Sequence, residues 1–216
     1  MSFHALPRWP QPSLEIAGRA ERFPVRRIFC IGRNYADHVR EMGGDPNRGS
    51  PIFFMKPADA VVDGAIPYPA GGDLHYEVEL VTVLGEDLRP WGYAVGLDLT
   101  RRDRQAAAKK IGGPWEVAKA FEASAVVGPL LPAAQWNGPA SQAIRFSVNG
   151  QIKQDARLDQ MIWSLPEILV ELGQAFTLKP GDVIFTGTPA GVGPLAPGDT
   201  VEASVDGLPG LSTTVA

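Results

Sequence analysis

Leu74-His75-Tyr76-Glu77-Val78-Glu79-Leu80-Val81 reads as a β-strand, in which alternate side chains leave on opposite faces. Glu77 and Glu79 therefore share one face, and Tyr76, Val78 and Leu80 share the other. Two like charges on one strand face repel, and a partly buried site tolerates them only when a cation neutralises them. Asp98 closes the next apolar run, which begins at Trp91. Three carboxylates with no accompanying cysteine or histidine cluster suit a hard cation, Mg²⁺, Mn²⁺ or Ca²⁺, better than Zn²⁺. His75 lies on the same face as the glutamates and is able to ligate, but reads better as a neighbour. The same Glu-x-Glu spacing also fits the wet face of an antiparallel sheet.

Working outward, further strands are expected over residues 25–31, 52–56, 91–97, 144–148, 183–186, 201–205 and 208–215, with 74–84 as one strand around the opening stretch. Frequent glycine and proline punctuate these short runs, as in a sheet-rich protein with tight turns. Asn149-Gly150 and Asp206-Gly207 are two-residue hairpin signals. Helices are marked by their ends. Thr100-Arg101-Arg102-Asp103 resembles a capping box opening a helix over 101–111 that Gly112 closes, and Ser164-Leu165-Pro166-Glu167 opens another to about residue 172. A shorter helix over 34–42 precedes a loop at 43–49. The fold class is mainly β with a few helices. Residues 1–24 read as an N-terminal extension and 25–216 as a single domain, a length able to bury a sizeable core.

The net charge of -4 and the dispersed basic residues lack the footprint of a nucleic-acid binder. The apolar core of a signal peptide is missing from the first twenty-odd residues, and prolines and glycines interrupt the longest uncharged stretch, 123–144, so a membrane partner is not expected. Cys30, the single cysteine, lies in an apolar run and reads as a buried strand residue in a reducing, cytoplasmic setting.

Chemistry gathers at a few further positions. His38 and Glu41, three apart on the expected short helix, share a face; a carboxylate beside an imidazole builds a water-activating base, and such pairs also occur as solvated ion pairs. Lys119 lies in an otherwise apolar segment, where a lysine needs a partner or must snorkel to water. Three carboxylates and one divalent cation sum to -1, so an anionic substrate requires another cation, and Lys119 is the natural candidate. The glycine-rich segment 187–194 matches neither a dinucleotide fingerprint nor a P-loop, although its amides and the Thr188 hydroxyl suit a carboxylate.

Ile31-Gly32-Arg33-Asn34-Tyr35-Ala36-Asp37-His38, the Glu77-x-Glu79 strand, Gly96-Leu97-Asp98-Leu99-Thr100-x-Arg102-Asp103-x-Gln105, Lys119-x-Phe121 and Phe185-Thr186-Gly187-Thr188-Pro189-x-Gly191-Val192-Gly193 together resemble the fumarylacetoacetate hydrolase superfamily. The likeness is strongest to its small branch of acylpyruvate and fumarylpyruvate hydrolases and oxaloacetate decarboxylases. The resemblance implies a mixed β-roll, a homodimer, and Mg²⁺ or Mn²⁺ on Glu77, Glu79 and Asp98. It further implies that Arg33, Lys119 and Thr188 hold a 2-oxo acid, that Gln105 supports it, and that His38 with Glu41 lies on a closing lid. Glu122, Ala125 and Val126 depart from the pattern of many relatives. The implied activity is hydrolysis of the carbon–carbon bond of acylpyruvates such as fumarylpyruvate, in aromatic catabolism. Oxaloacetate decarboxylation, isomerisation or hydration of a related acid, and a non-catalytic binding module are the alternatives.

Overall fold

The computed structural model describes residues 9–62 and 64–216; residues 1–8 of the expected extension lie outside the described residues. The first strands in chain order are β1 (Ser13–Glu15), β2 (Arg22–Pro24), β3 (Arg27–Gly32), β4 (Ile52–Lys56), β5 (Val61–Val62) and β6 (Leu74–Tyr76). They are followed by β7 (Val78–Leu84), β8 (Pro90–Asp98), β9 (Thr100–Arg101), β10 (Ala125–Val127), β11 (Leu131–Pro132) and β12 (Ala143–Val148). The last are β13 (Gln151–Arg157), β14 (Asp182–Phe185), β15 (Gly193–Pro194), β16 (Thr200–Val205) and β17 (Leu211–Thr214). The α-helices are α1 (Ala36–Glu41), α2 (Arg102–Ile111), α3 (Glu116–Lys119) and α4 (Leu165–Ala175).

The main sheet runs β4-β3-β14-β7-β8-β10-β5, with β11 paired to β8, and a second sheet runs β13-β12-β16-β17. Pairing is mostly antiparallel, but β3–β14 and β5–β10 are parallel, so the sheet is mixed. The result is the mixed β-roll the motifs imply. Between the two sheets lies one core, where Val78, Leu80, Val95 and Leu97 meet Ile144, Phe146, Val201 and Val205. Val81, Val83, Cys30 and Phe185 form a second core on the other face, and α4 covers a third around Phe29 and Ile184. Within residues 13–24 a hairpin buries Leu14, Ile16 and Phe23 in the second core. Cys30 is buried there, and burial pushes its thiol pKa well up, away from reactive thiolate chemistry.

Several local expectations change. The strand expected over 74–84 is split at Glu77: β6 joins β15 and β9 in a small sheet, whereas β7 belongs to the main one. The helix expected at 101 starts at Arg102 with no side-chain cap, because Thr100 is paired with His75 in a strand and its hydroxyl bonds the Asp98 carbonyl. At the next helix the box is real: the Ser164 N–H and hydroxyl both donate to Glu167. Asn149-Gly150 turns the β12–β13 hairpin with both φ positive. After Asp206-Gly207 the chain runs on to Leu211 before β17 begins, so that turn is longer than two residues. The four-residue α3 is too short to leave a periodic pattern.

Gly96, opposite Glu79 in the β7–β8 ladder, is required by packing: a Cβ there meets Val81 Cγ2 at 2.7 Å and the Val126 carbonyl at 2.8 Å. Gly96→Ala is expected to destabilise the protein by about 1–3 kcal/mol through overpacking, read as a lower urea midpoint.

Candidate active site

Glu77 occupies the seam between β6 and β7, and the Asp98 N–H donates to its carbonyl at 2.9 Å, pinning the end of β8 beside it. The β7–β8 register places Val78 opposite Leu97 and Glu79 opposite Gly96, so all three carboxylates converge. Oxygens of Glu77, Glu79 and Asp98 lie within 4.8 Å of one another, and all three residues are buried. Tyr76, Val78 and Leu80 enter the core between the sheets, as strand alternation requires. The cluster is thus no wet sheet face.

Lys119, at the end of α3, is also buried; its Nζ donates to Glu77 Oε2 and Asp98 Oδ2, each at 2.7 Å, and to Thr100 Oγ1 at 2.6 Å. It does not snorkel. Lys56, at the end of β4, donates to the Leu99 and Lys119 carbonyls and lies 2.8 Å from Asp98 Oδ1. Arg102, opening α2, donates to Glu77 Oε1 and, at 2.7 Å, to Gln105 Oε1. Three cations therefore meet three carboxylates, more positive charge than a reading with Lys119 alone supplies.

Burial alone raises the Glu77 pKa, but Lys119 and Arg102 outweigh it and hold the carboxyl well below the usual range. Burial lowers Lys119, and the negative Asp98 and Glu77 reverse the direction and hold it protonated. Glu79 is different. Burial, then the charges of Asp98 and Glu77, push it well above the carboxylate range, and no cation within 4.0 Å is paired with it among the described residues. Its Oε2 accepts the Gly187 N–H at 2.6 Å.

The donor set fits a divalent cation. Among the described residues Asp98 Oδ1 is a buried oxygen with no hydrogen-bond partner, with the Lys56 ammonium beside it as an ion pair. Glu79 has no ion-pair partner among the described residues, with only the more distant Lys119 charge acting on it, and all three residues offer oxygen, the preference of Mg²⁺ and Mn²⁺. His75 is not part of the group; its Nε2 pairs with Asp73 Oδ2 at 2.9 Å.

Helix α1 also borders the pocket, through His38 and Val39. His38 Nδ1 lies 3.1 Å from Glu41 Oε2, and Glu41 Oε1 accepts the Gly191 N–H at 2.9 Å. The loop can approach so closely because residue 191 is glycine: φ is +97°, and a Cβ would come within 2.1 Å of the Lys153 carbonyl. With Nδ1 occupied by Glu41, Nε2 is the ring nitrogen left for the pocket. The loop at 43–49 is tied to α4, since Arg48 donates to Glu167 at 2.7 Å and its guanidinium stacks 3.9 Å from the Trp163 ring centroid.

His38, Arg33, Gln105, Lys119 and Thr188 line one pocket together with the three carboxylates, while Glu41 stands behind His38. The sequence reading missed Lys56, Gln154, Lys109 and Trp115, and gave Arg102 no role. Gln154 Nε2 donates to Thr188 Oγ1 at 2.8 Å and its Oε1 accepts the Val78 N–H at 3.0 Å, tying the Thr188 loop to the carboxylate strand. Lys56 carried a signal: a lysine ending the apolar Ile52-Phe53-Phe54-Met55 is as expensive as Lys119.

Residues 27–216 match the family model described as fumarylacetoacetate (FAA) hydrolase C-terminal. The chain belongs to the fumarylacetoacetate hydrolase family, an enzyme superfamily with hydrolase and oxaloacetate tautomerase members. A crystal structure of fumarylpyruvate hydrolase from Pseudomonas aeruginosa, in complex with Mn²⁺ and pyruvate, is similar with a TM-score of 0.95 and 45% identity, covering 99% of each chain. Oxaloacetate tautomerase YcgM of Escherichia coli is 40% identical over 86% of this chain and 90% of its own. The human mitochondrial oxaloacetate tautomerase FAHD1 is 39% identical over 88% of this chain and 91% of its own. No helix among the described residues is long and apolar enough to cross a membrane.

Proposed function

We propose that the protein hydrolyses the carbon–carbon bond of acylpyruvates, 2,4-dioxo acids such as fumarylpyruvate, to pyruvate and a carboxylic acid, with Mg²⁺ or Mn²⁺ on Glu77, Glu79 and Asp98. The observation that carries this reading is one pocket lined together by His38, the three carboxylates and Lys119. Support comes from the Pseudomonas neighbour, named a fumarylpyruvate hydrolase, with Mn²⁺ and pyruvate.

A divalent cation supplies Lewis-acid stabilisation of the negative charge that develops on the 2-oxo acid end. The chain does the rest. Arg33, Gln105 and Thr188 orient the 2-oxo acid, and Arg102 and Lys119 hold the carboxylate cluster in place. His38, held by Glu41, takes a proton from water as its oxygen attacks C4. The C3–C4 bond then breaks, its electron pair passes to the pyruvate fragment as the enolate, and protonation at C3 completes the product. Closure of α1 and the 43–49 loop excludes bulk water. In this reading residues 25–216 act as the catalytic domain of a cytoplasmic homodimer in aromatic catabolism.

The tautomerase names of the sequence relatives favour a second reading, interconversion of the keto and enol forms of oxaloacetate, and decarboxylation of the same acid is a third. Side-by-side assays with fumarylpyruvate, acetylpyruvate and oxaloacetate separate them. Stoichiometric pyruvate from the dioxo acids is the expected result; oxaloacetate turnover with no cleavage of either dioxo acid overturns the hydrolase assignment.

A further inference from the structure

The pocket carries more positive charge than its metal end uses. Lys56, Lys119 and Arg102 already match the three carboxylates, so a divalent cation leaves charge for one substrate carboxylate and the oxyanion beside it. Arg33 and Lys109 also line the pocket, and neither has a carboxylate within 4.0 Å among the described residues; with Arg33 assigned to the 2-oxo acid, Lys109 is the cation left over.

Lys109 projects from α2, with its Nζ 5.4 Å from the ring centroid of Trp115, which also lines the pocket. Burial and the positive Arg102 and Arg33 lower its pKa, so its ammonium gains from an arriving anion. The residue is exposed on average but lines the pocket, whereas the adjoining Lys110 does not. Val39, Met42 and Trp115 supply apolar lining suited to a hydrocarbon spacer.

We propose that Lys109 binds a second carboxylate of the substrate, beyond the 2-oxo acid end that Arg33 orients, so that the site selects dicarboxylic over monocarboxylic 2-oxo acids. This rests on the 2-oxo acid reading above and names the substrate class within it. The physical gain is a charge-assisted hydrogen bond made beside the half-buried Trp115 ring. Acetylpyruvate has no group to make it; fumarylpyruvate and oxaloacetate have.

The test is binding, which does not require turnover. Titration calorimetry of the Mn²⁺-loaded protein compares 2-oxoglutarate and 2-oxoadipate with the uncharged-tail analogues 2-oxopentanoate and 2-oxohexanoate. The parent is expected to prefer at least one dicarboxylate by about 10- to 100-fold, the worth of a hydrogen bond to a charged group. Lys109→Gln should reduce that preference to near parity, and Lys109→Arg should retain most of it. Absence of the preference in the parent, its persistence in Lys109→Gln, or failure of every 2-oxo acid to bind overturns the proposal. Retained selective binding without carbon–carbon cleavage defeats the hydrolase reading alone.

Discussion

Glu79→Gln is expected to yield a folded protein that binds no Mn²⁺ and has lost at least about 10³-fold in turnover of every 2-oxo acid, because metal stabilisation of the transition state amounts to several kcal/mol. Glu79 is the variant of choice since, among the described residues and unlike Glu77 and Asp98, it is paired with no cation whose loss would unbalance the core. Its buried carboxyl, raised further by Asp98 and Glu77, keeps a proton in the metal-free fold at pH values where the unfolded chain, ionising near 4.5, has released it. The folded state binds the extra proton, so the metal-free parent loses stability as pH rises above about 4.5. Glutamine has no proton to lose, and the variant should gain on the parent across that range. Urea unfolding at pH 5 and pH 8, without and with Mn²⁺, measures both effects. At a hundredfold excess over its dissociation constant Mn²⁺ should stabilise the parent by about 2.7 kcal/mol and the variant by nothing. A variant still stabilised by Mn²⁺ removes Glu79 from the metal site, and one that tracks the parent with pH shows that the Glu79 carboxyl is already ionised in the metal-free fold.

The carboxylate cluster was legible because a strand has period two. Glu77, Glu79 and the apolar residues between them sort onto faces from spacing alone, and the β7–β8 register completes the group with Asp98. The seam at Glu77 was not legible: one unbroken alternating run feeds two different sheets, and only the competing partners β8 and β9 decide where pairing changes. Thr100 shows a similar override. Its local pattern suits a helix cap, but a strand partner at His75 and an ammonium at Lys119 hold its backbone and hydroxyl instead. Lys56 and Gln154 reach the site through contacts 43 and 76 residues along the chain, which no local pattern encodes.

Removing the His38 imidazole should separate the two ends of the pocket. His38→Ala leaves Glu77, Glu79 and Asp98 with their hydrogen bonds to Lys119 and Gly187 intact, so Mn²⁺ affinity should be unchanged. Hydrolysis of fumarylpyruvate should fall by about 10²- to 10⁴-fold in kcat, the usual contribution of a positioned base, while decarboxylation of oxaloacetate, which requires no activated water, should fall less. Glu41→Gln probes the same base indirectly. Glu41 accepts from both His38 and the Gly191 N–H, whereas an amide offers a single oxygen and must set its NH₂ against one of those donors. The variant therefore loses either the hold on the imidazole or the anchor of α1, and kcat should drop with KM for fumarylpyruvate little changed. Undiminished kcat in His38→Ala would assign the attacking water to another group. A fall of equal size for hydrolysis and decarboxylation would make His38 a group that holds α1 or the substrate, with no part in activating water.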